Sequence, residues 1–194
     1  MNRPFRLSWI TLGIAFALGI SHFNAFAEPT AFDLAKDGNH FVGDQAKDKV
    51  VQIRSEKSVG SLTPNIWYIV YYDPTSTLKA TEVKFGGGKM MEVRRPLRLL
   101  EPVTGGDKTL DRKKLKIDSD RALSIAMKEP LLNGLTLKAS QFWLEHGEHG
   151  PHWKIRLWAA KLGDPNKMAD IGVVVISCAD GEVVKSDLHP KSVD

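Results

Sequence analysis

Two stretches of this chain read as one pattern used twice. Trp67-Tyr68-Ile69-Val70-Tyr71-Tyr72 leads through Asp73-Pro74 to Val83-Lys84-Phe85 and then Gly88-Lys89-Met90-Met91. Trp153-Lys154-Ile155-Arg156-Leu157-Trp158 leads through Asp164-Pro165 to Val175-Ile176-Ser177 and then Gly181-Glu182-Val183-Val184. In both, a Trp opens an alternating strand, Asp-Pro breaks it, and a second strand ends in a glycine turn. Self-similarity of this kind constrains the fold more than local propensity does, because one copy alone buries little core. It predicts two small sandwich-like units.

The first residues stand apart from that pattern. Arg3 and Arg6 are followed by an apolar run from Leu7 to Ile20, and Ala25-Phe26-Ala27 is a small-x-small site ahead of Glu28-Pro29. This is the layout of a cleaved signal peptide. The apolar run is shorter than the roughly 20 residues that span a bilayer. The expected mature chain is therefore periplasmic or secreted, with membrane contact at most peripheral. The full chain has 27 Lys and Arg against 23 Asp and Glu, and loss of Arg3 and Arg6 brings it closer to balance. Such a balance gives no argument for nucleic-acid binding. Cys178 is the single cysteine, so no intramolecular disulfide can staple the fold. Its place after Val173-Val174-Val175-Ile176 predicts a buried, inert thiol rather than the exposed electropositive setting a catalytic one needs.

Along the mature chain, Ala31 to Ala35 suggests one or two helical turns before Gly38, and Phe41 to Lys47 a second short helix. Lys49 to Arg54, Ile66 to Tyr72, Leu78 to Phe85 and Lys89 to Val93 read as strands, from alternation and β-branched or aromatic density. Gly86-Gly87-Gly88-Lys89 is a hairpin turn. A phosphate-binding loop would need a helix after it, and Met90-Met91-Glu92-Val93 reads as strand. Arg94 to Lys116 is a connector with two basic clusters, Arg94–Arg98 and Arg112–Lys116, either solvated or facing an anionic surface. Ile117 to Met127 is the clearest helix, capped by Asp118 or Ser119. Strands then follow at Leu135–Leu144, Trp153–Lys161, Ile171–Cys178 and Glu182–Lys185, with a loose polar tail from Asp187. A helix followed by strands predicts an α+β fold of antiparallel sheets, each with a helix packed on one face. Each sheet would keep a second face, and the two copies could bury those faces against each other.

The C-terminal half resembles a PepSY domain. Ile117-Asp118-Ser119-Asp120-Arg121-Ala122-Leu123-Ser124-Ile125-Ala126 is similar to that family's capped helix. Trp153-Lys154-Ile155-Arg156-Leu157 is similar to its Trp-led strand, and Ile176 to Val184 to its closing hairpin. The sequence departs from the family pattern at Cys178-Ala179-Asp180-Gly181, where an acidic residue and Thr-Gly are usual, and in the longer Asp164-Pro165 excursion. The N-terminal copy matches in its strands alone. The resemblance implies two PepSY-like repeats after the signal peptide. The layout is then a leader over 1–27, an N-terminal repeat over 28–93, a basic connector over 94–116, a C-terminal domain over 117–186 and a tail over 187–194. It also implies a small extracytoplasmic domain without catalytic residues or cofactor. Such domains occur in the propeptides of thermolysin-type metallopeptidases and in cell-envelope proteins, where they regulate peptidases or bind partners.

One cluster invites a different chemistry. Glu145-His146-Gly147-Glu148-His149-Gly150-Pro151-His152 places three imidazoles and two carboxylates in eight residues, ligand types that suit Zn or Cu. The glycines and Pro151 forbid the helix on which a His-Glu-x-x-His zinc motif depends, and a polar hairpin loop is the plainer reading. No Ser/His/Asp or Cys/His arrangement is present to argue a hydrolase. The sequence thus predicts a non-enzymatic module that binds an unidentified envelope protein or peptide through exposed sheet edges. The alternative is a periplasmic metal-binding protein using His146, His149 and His152.

Overall fold

A computed structural model describes residues 28–95 and 109–194. The expected leader and most of the first basic cluster lie outside those residues. The element order is α1 (Ala31–Gly38), β1 (Val50–Ser55), β2 (Ile66–Tyr72), β3 (Ala80–Gly86) and β4 (Lys89–Arg94), then α2 (Ser119–Ala126), β5 (Leu137–Gly147), β6 (Gly150–Ala160), β7 (Met168–Ser177) and β8 (Val183–Leu188). Each half is a helix followed by a four-stranded meander.

The two halves do not form two sheets. All eight described strands belong to one antiparallel sheet of order β4-β3-β2-β1-β5-β6-β7-β8. This overturns the expected α+β pair of helix-backed sheets, and with it the idea that their second faces bury one another. The halves join edge to edge, where β1 pairs β5 through Ile53↔Leu144 and Arg54↔Trp143. The strand that opens each meander would otherwise be an edge with unmet backbone groups, and each supplies the other's partner. Strand outweighs helix among the described residues, whose two α-helices have eight residues each. The helix expected over Phe41–Lys47 is a set of turns, in which the Gly43 carbonyl accepts from both Ala46 and Lys47 and the coil goes no further. A lone turn lacks the length that repays helix nucleation.

Alternation decides which side chains reach the core. In β6, Trp153, Ile155, Leu157 and Ala159 are buried on one face, while Lys154, Arg156 and Trp158 stand on the other. In β2 the same face carries Trp67, Ile69 and Tyr71. Both helices pack on it, α1 against β1 and β2, α2 against β6 and β7. Each helix buries its first, fourth and eighth residues: Ala31, Leu34 and Gly38 in α1, Ser119, Ala122 and Ala126 in α2. That spacing is one stripe of a 3.6-residue helix. The Trp that opens each repeated motif meets the same central ring. Trp67 lies 5.6 Å and Trp153 5.8 Å from Phe142 of β5, centroid to centroid. One core therefore runs under both halves.

The Asp-Pro breaks have a common cause. Asp73 Oδ1 accepts from Thr75 N at 2.9 Å, and Asp164 Oδ1 from Asn166 N at 3.1 Å. Each is a side-chain turn over the proline, the local bond that makes Asp a turn former. The tail differs from expectation. Leu188 and Val193 are buried, and Leu162 N donates to Val193 O at 2.9 Å, so a 3-10 turn at Pro190–Val193 packs back on the sheet.

Candidate functional site

The histidine cluster forms the β5–β6 hairpin. Glu145 faces His152, His146 faces Pro151 and Gly147 faces Gly150, leaving Glu148 and His149 in the turn. Neighbouring strand residues point to opposite faces. His152 and Glu145 therefore lie on the face away from the helices, and His146 on the other, the side of Trp153. Backbone geometry separates the three imidazoles rather than converging them. Glu145 Oε1 is 4.0 Å from His152 Nε2, and the same oxygen takes the Lys154 ammonium. A cation there would compete with Lys154. Burial, helped by Lys154 and His146, lowers the His152 pKa against the opposing pull of Gly150 and Glu145. Its ring packs over Gly147, where a Cβ would come within 2.2 Å of it. Among the described residues no group of three or more His, Cys, Asp or Glu is placed to hold a metal ion.

The other candidates hold no nucleophile. Cys178 is buried, donates to Ile117 O at 3.2 Å, and has its thiol pushed up to about 11 by burial. It stays protonated at neutral pH. In the second basic cluster, Arg112 bonds Asp48 at 2.7 Å, and Arg112–Lys114 forms an exposed 3-10 turn capped by Asp111.

The face away from the helices carries an ordered row of cations and rings. Strand register aligns Glu92, Lys84, Tyr68, Arg54, Trp143, Lys154, Val175 and Lys185 across all eight strands. Arg54 stacks 4.1 Å over the Tyr68 ring, with Lys84 at 5.2 Å and Arg94 at 5.8 Å. The carboxylate of Glu82, 1% exposed, binds Arg54 at 2.6 Å and Arg94 at 2.7 Å. Removing either arginine would leave a buried charge half paired. Farther along, Lys57 sits 4.3 Å from the Trp158 ring. Most charges on this face answer one another, so it reads as a self-satisfied lattice.

The sheet's two ends are less complete. β4 and β8 are its edges. The register shifts between Lys84 and Phe85 on β3 and between Val175 and Ile176 on β7, leaving an extra residue, Met91 in β4 and Val184 in β8. Bulges of this kind twist an edge away from unwanted pairing. The edges are otherwise unequal. Every residue of β4 is exposed, and Met90, Met91 and Val93 are among its six. β8 presents one exposed apolar residue, Val184, among Lys185, Ser186 and Asp187, and Leu188 is buried. The sequence marked Lys89–Val93 as a strand but not as a surface. With a single neighbour among the described strands, the Met-Met-x-Val run stands at an apolar edge, and strand order is what the sequence withheld.

No protein-family model matches the chain. No curated protein and no solved structure matches it either. No helix among the described residues is long and apolar enough to cross a membrane.

Proposed function

We propose that the chain is an exported, non-enzymatic binding module. It takes an extended segment of an envelope protein or peptide as an added strand beside β4. The observation that carries this reading is the edge itself: six exposed residues, three of them apolar, on a strand that pairs on one side only among the described residues. Strand addition gains main-chain hydrogen bonds and uses alternate side chains for specificity. Methionine suits the task because its flexible thioether re-packs against different partners. The leader-like first 27 residues support a periplasmic or extracellular location, and the PepSY-like features of residues 117–185 support a regulator or partner-binder of peptidases. The matching helix-plus-meander order of the two halves supports an internal duplication within the one sheet. The histidine hairpin adds no second reading, since its imidazoles diverge.

The test places a photocrosslinking amino acid at position 91 or at position 184 of the mature protein and exposes each to envelope extract. Saturable capture of a defined partner from position 91, lost when Met90 and Met91 are both changed to Lys, supports the reading. Equal capture from both edges, no capture, or crosslinking to a second copy alone defeats it.

A further inference from the structure

A cavity of about 260 Å³ lies between α1, the start of β1 and the segment that follows residue 109. Its floor is Phe32, Ala35, Val50, Ile53, Leu110 and Leu115, side chains without a polar atom. Leu110 N donates to Val50 O at 2.8 Å, which ties that wall to the sheet. The polar groups gather at one side: Lys36, Asn39, Asp48 and Arg112. An apolar hollow with a few convergent polar groups is the usual form of a small-molecule site.

The polar side is organised. Asp48 has a φ of 61°, a left-handed conformation that Asp tolerates better than most residues. Asn39 holds it at two points, with Nδ2 donating to Oδ1 at 2.7 Å and Oδ1 accepting from Asp48 N at 2.9 Å. Arg112 closes on the same carboxylate at 2.7 Å. The one anion of the rim is thereby answered. Lys36 is exposed and its ammonium has no bonded partner among the described residues, and the guanidinium of Arg112 has further N–H groups to offer. Two cations and one satisfied carboxylate leave the rim with an excess of one positive charge.

We propose that this cavity binds a short-chain carboxylate amphiphile, its alkyl chain on the apolar floor and its carboxylate between Lys36 and Arg112. A sugar or nucleotide would bury polar groups against a floor that cannot bond them, at a cost. A cationic amphiphile would meet like charge at the rim. The volume falls just under the roughly 300 Å³ at which small-molecule sites begin, which selects short chains over long ones. The inference is independent of strand addition at β4, which lies at the sheet's edge rather than beneath α1.

Calorimetric titration of the mature protein with hexanoate, octanoate and decanoate tests it, with octanol and octyltrimethylammonium as controls. Octanoate is expected to bind saturably. Affinity should rise about fourfold per methylene from hexanoate, the factor equivalent to about 0.8 kcal/mol per buried CH2, until the chain outgrows the cavity. The double variant Lys36→Gln and Arg112→Gln, at exposed positions that leave the core intact, should lose about tenfold for octanoate, as expected for lost charge-assisted hydrogen bonds, with octanol unchanged. Ala35→Leu or, should that variant fold poorly, Leu115→Phe should weaken both ligands. Octyltrimethylammonium binding as tightly as octanoate would overturn the proposal. So would octanoate that fails to saturate, or binding indifferent to the rim and floor variants.

Discussion

Asp118 joins the two helices at a single carboxylate. Its Oδ1 accepts from Ser119 N at 2.6 Å, capping α2, and from Phe32 N at 3.2 Å in the first turn of α1. Ser119 Oγ accepts from Ala31 N at 3.1 Å, so the two N-termini lean on each other. The sequence offered Asp118 or Ser119 as the cap of α2, from residue type and position, and Asp118 is the cap. It could not show that the same oxygen serves a helix 86 residues earlier. Burial raises the Asp118 pKa, and the hydrogen bonds from Thr30, Ser119 and Phe32 pull against it. A carboxyl whose folded pKa stands above its unfolded value favours the fold in its protonated state. That contribution is present below the unfolded pKa and is lost as pH rises through the folded one. Asp118→Asn keeps an acceptor oxygen without the buried charge. It should be at least as stable as the parent at pH 7, with the difference shrinking as pH falls toward 4, measured by urea unfolding. Asp118→Ala should cost about 1 kcal/mol at pH 7, the usual loss for a cap, and more as pH falls toward 4. Gly38 was legible for a partial reason. Sequence marked it as a helix stop, yet its backbone is ordinary; the residue is small because a Cβ there would come 2.1 Å from the Tyr71 hydroxyl.

Elements dense in β-branched and aromatic residues, or alternating in polarity, were the most readable. The strand expected over Ile66–Tyr72 is β2 to the residue, and the inward set Trp153, Ile155 and Leu157 is buried as the pattern requires. Bulges escaped because they depend on the register of the neighbouring strand. The seam between β1 and β5 escaped for a related reason. Two residue pairs form its ladder, and serine side chains continue it where the backbones part. Phe142 N donates to Ser55 Oγ at 2.9 Å, Ser140 N to Ser58 Oγ at 2.9 Å, and Ser58 N to Ser140 O at 2.8 Å. All three serines are buried. No propensity distinguishes a serine that substitutes for a strand partner from one in a loop. Ser55→Ala would leave the buried Phe142 N–H without its acceptor, and an orphaned buried donor costs about 1–3 kcal/mol. Ser58→Ala should cost a similar amount through Ser140 N. Serine to alanine at exposed Ser186, on the outer edge, should change stability by less than about 0.5 kcal/mol. Guanidinium unfolding of the three variants gives the comparison, and equal midpoints for all would mean the seam serines carry no stability.

At the scale of the whole molecule, the sequence shows two similar Trp-led stretches but not how the strands they form assemble. Two Trp-led motifs specify two meanders, and nothing in either motif says whether the copies stack face to face or pair at their edges. The edge solution has a physical consequence, because the core ceases to be two cores. Trp67, Phe142 and Trp153 form one aromatic chain across the seam, and the indoles are tied in place, Trp67 Nε1 to Pro64 O at 2.9 Å and Trp153 Nε1 to Ile117 O at 2.8 Å. A core shared in this way couples the stability of each half to the other. Hydrogen exchange on residues 28–194 should then show the slowest amides of β2 and β6 opening with the same free energy, the signature of one cooperative unit. Phe142→Ala removes the shared ring and should cost about 3–5 kcal/mol, lowering protection on β2 and β6 together although the residue lies in the second half. A variant that loosens β6 and leaves β2 protected would show two independently stable units laid side by side, and the continuous sheet would then be a contact rather than a core.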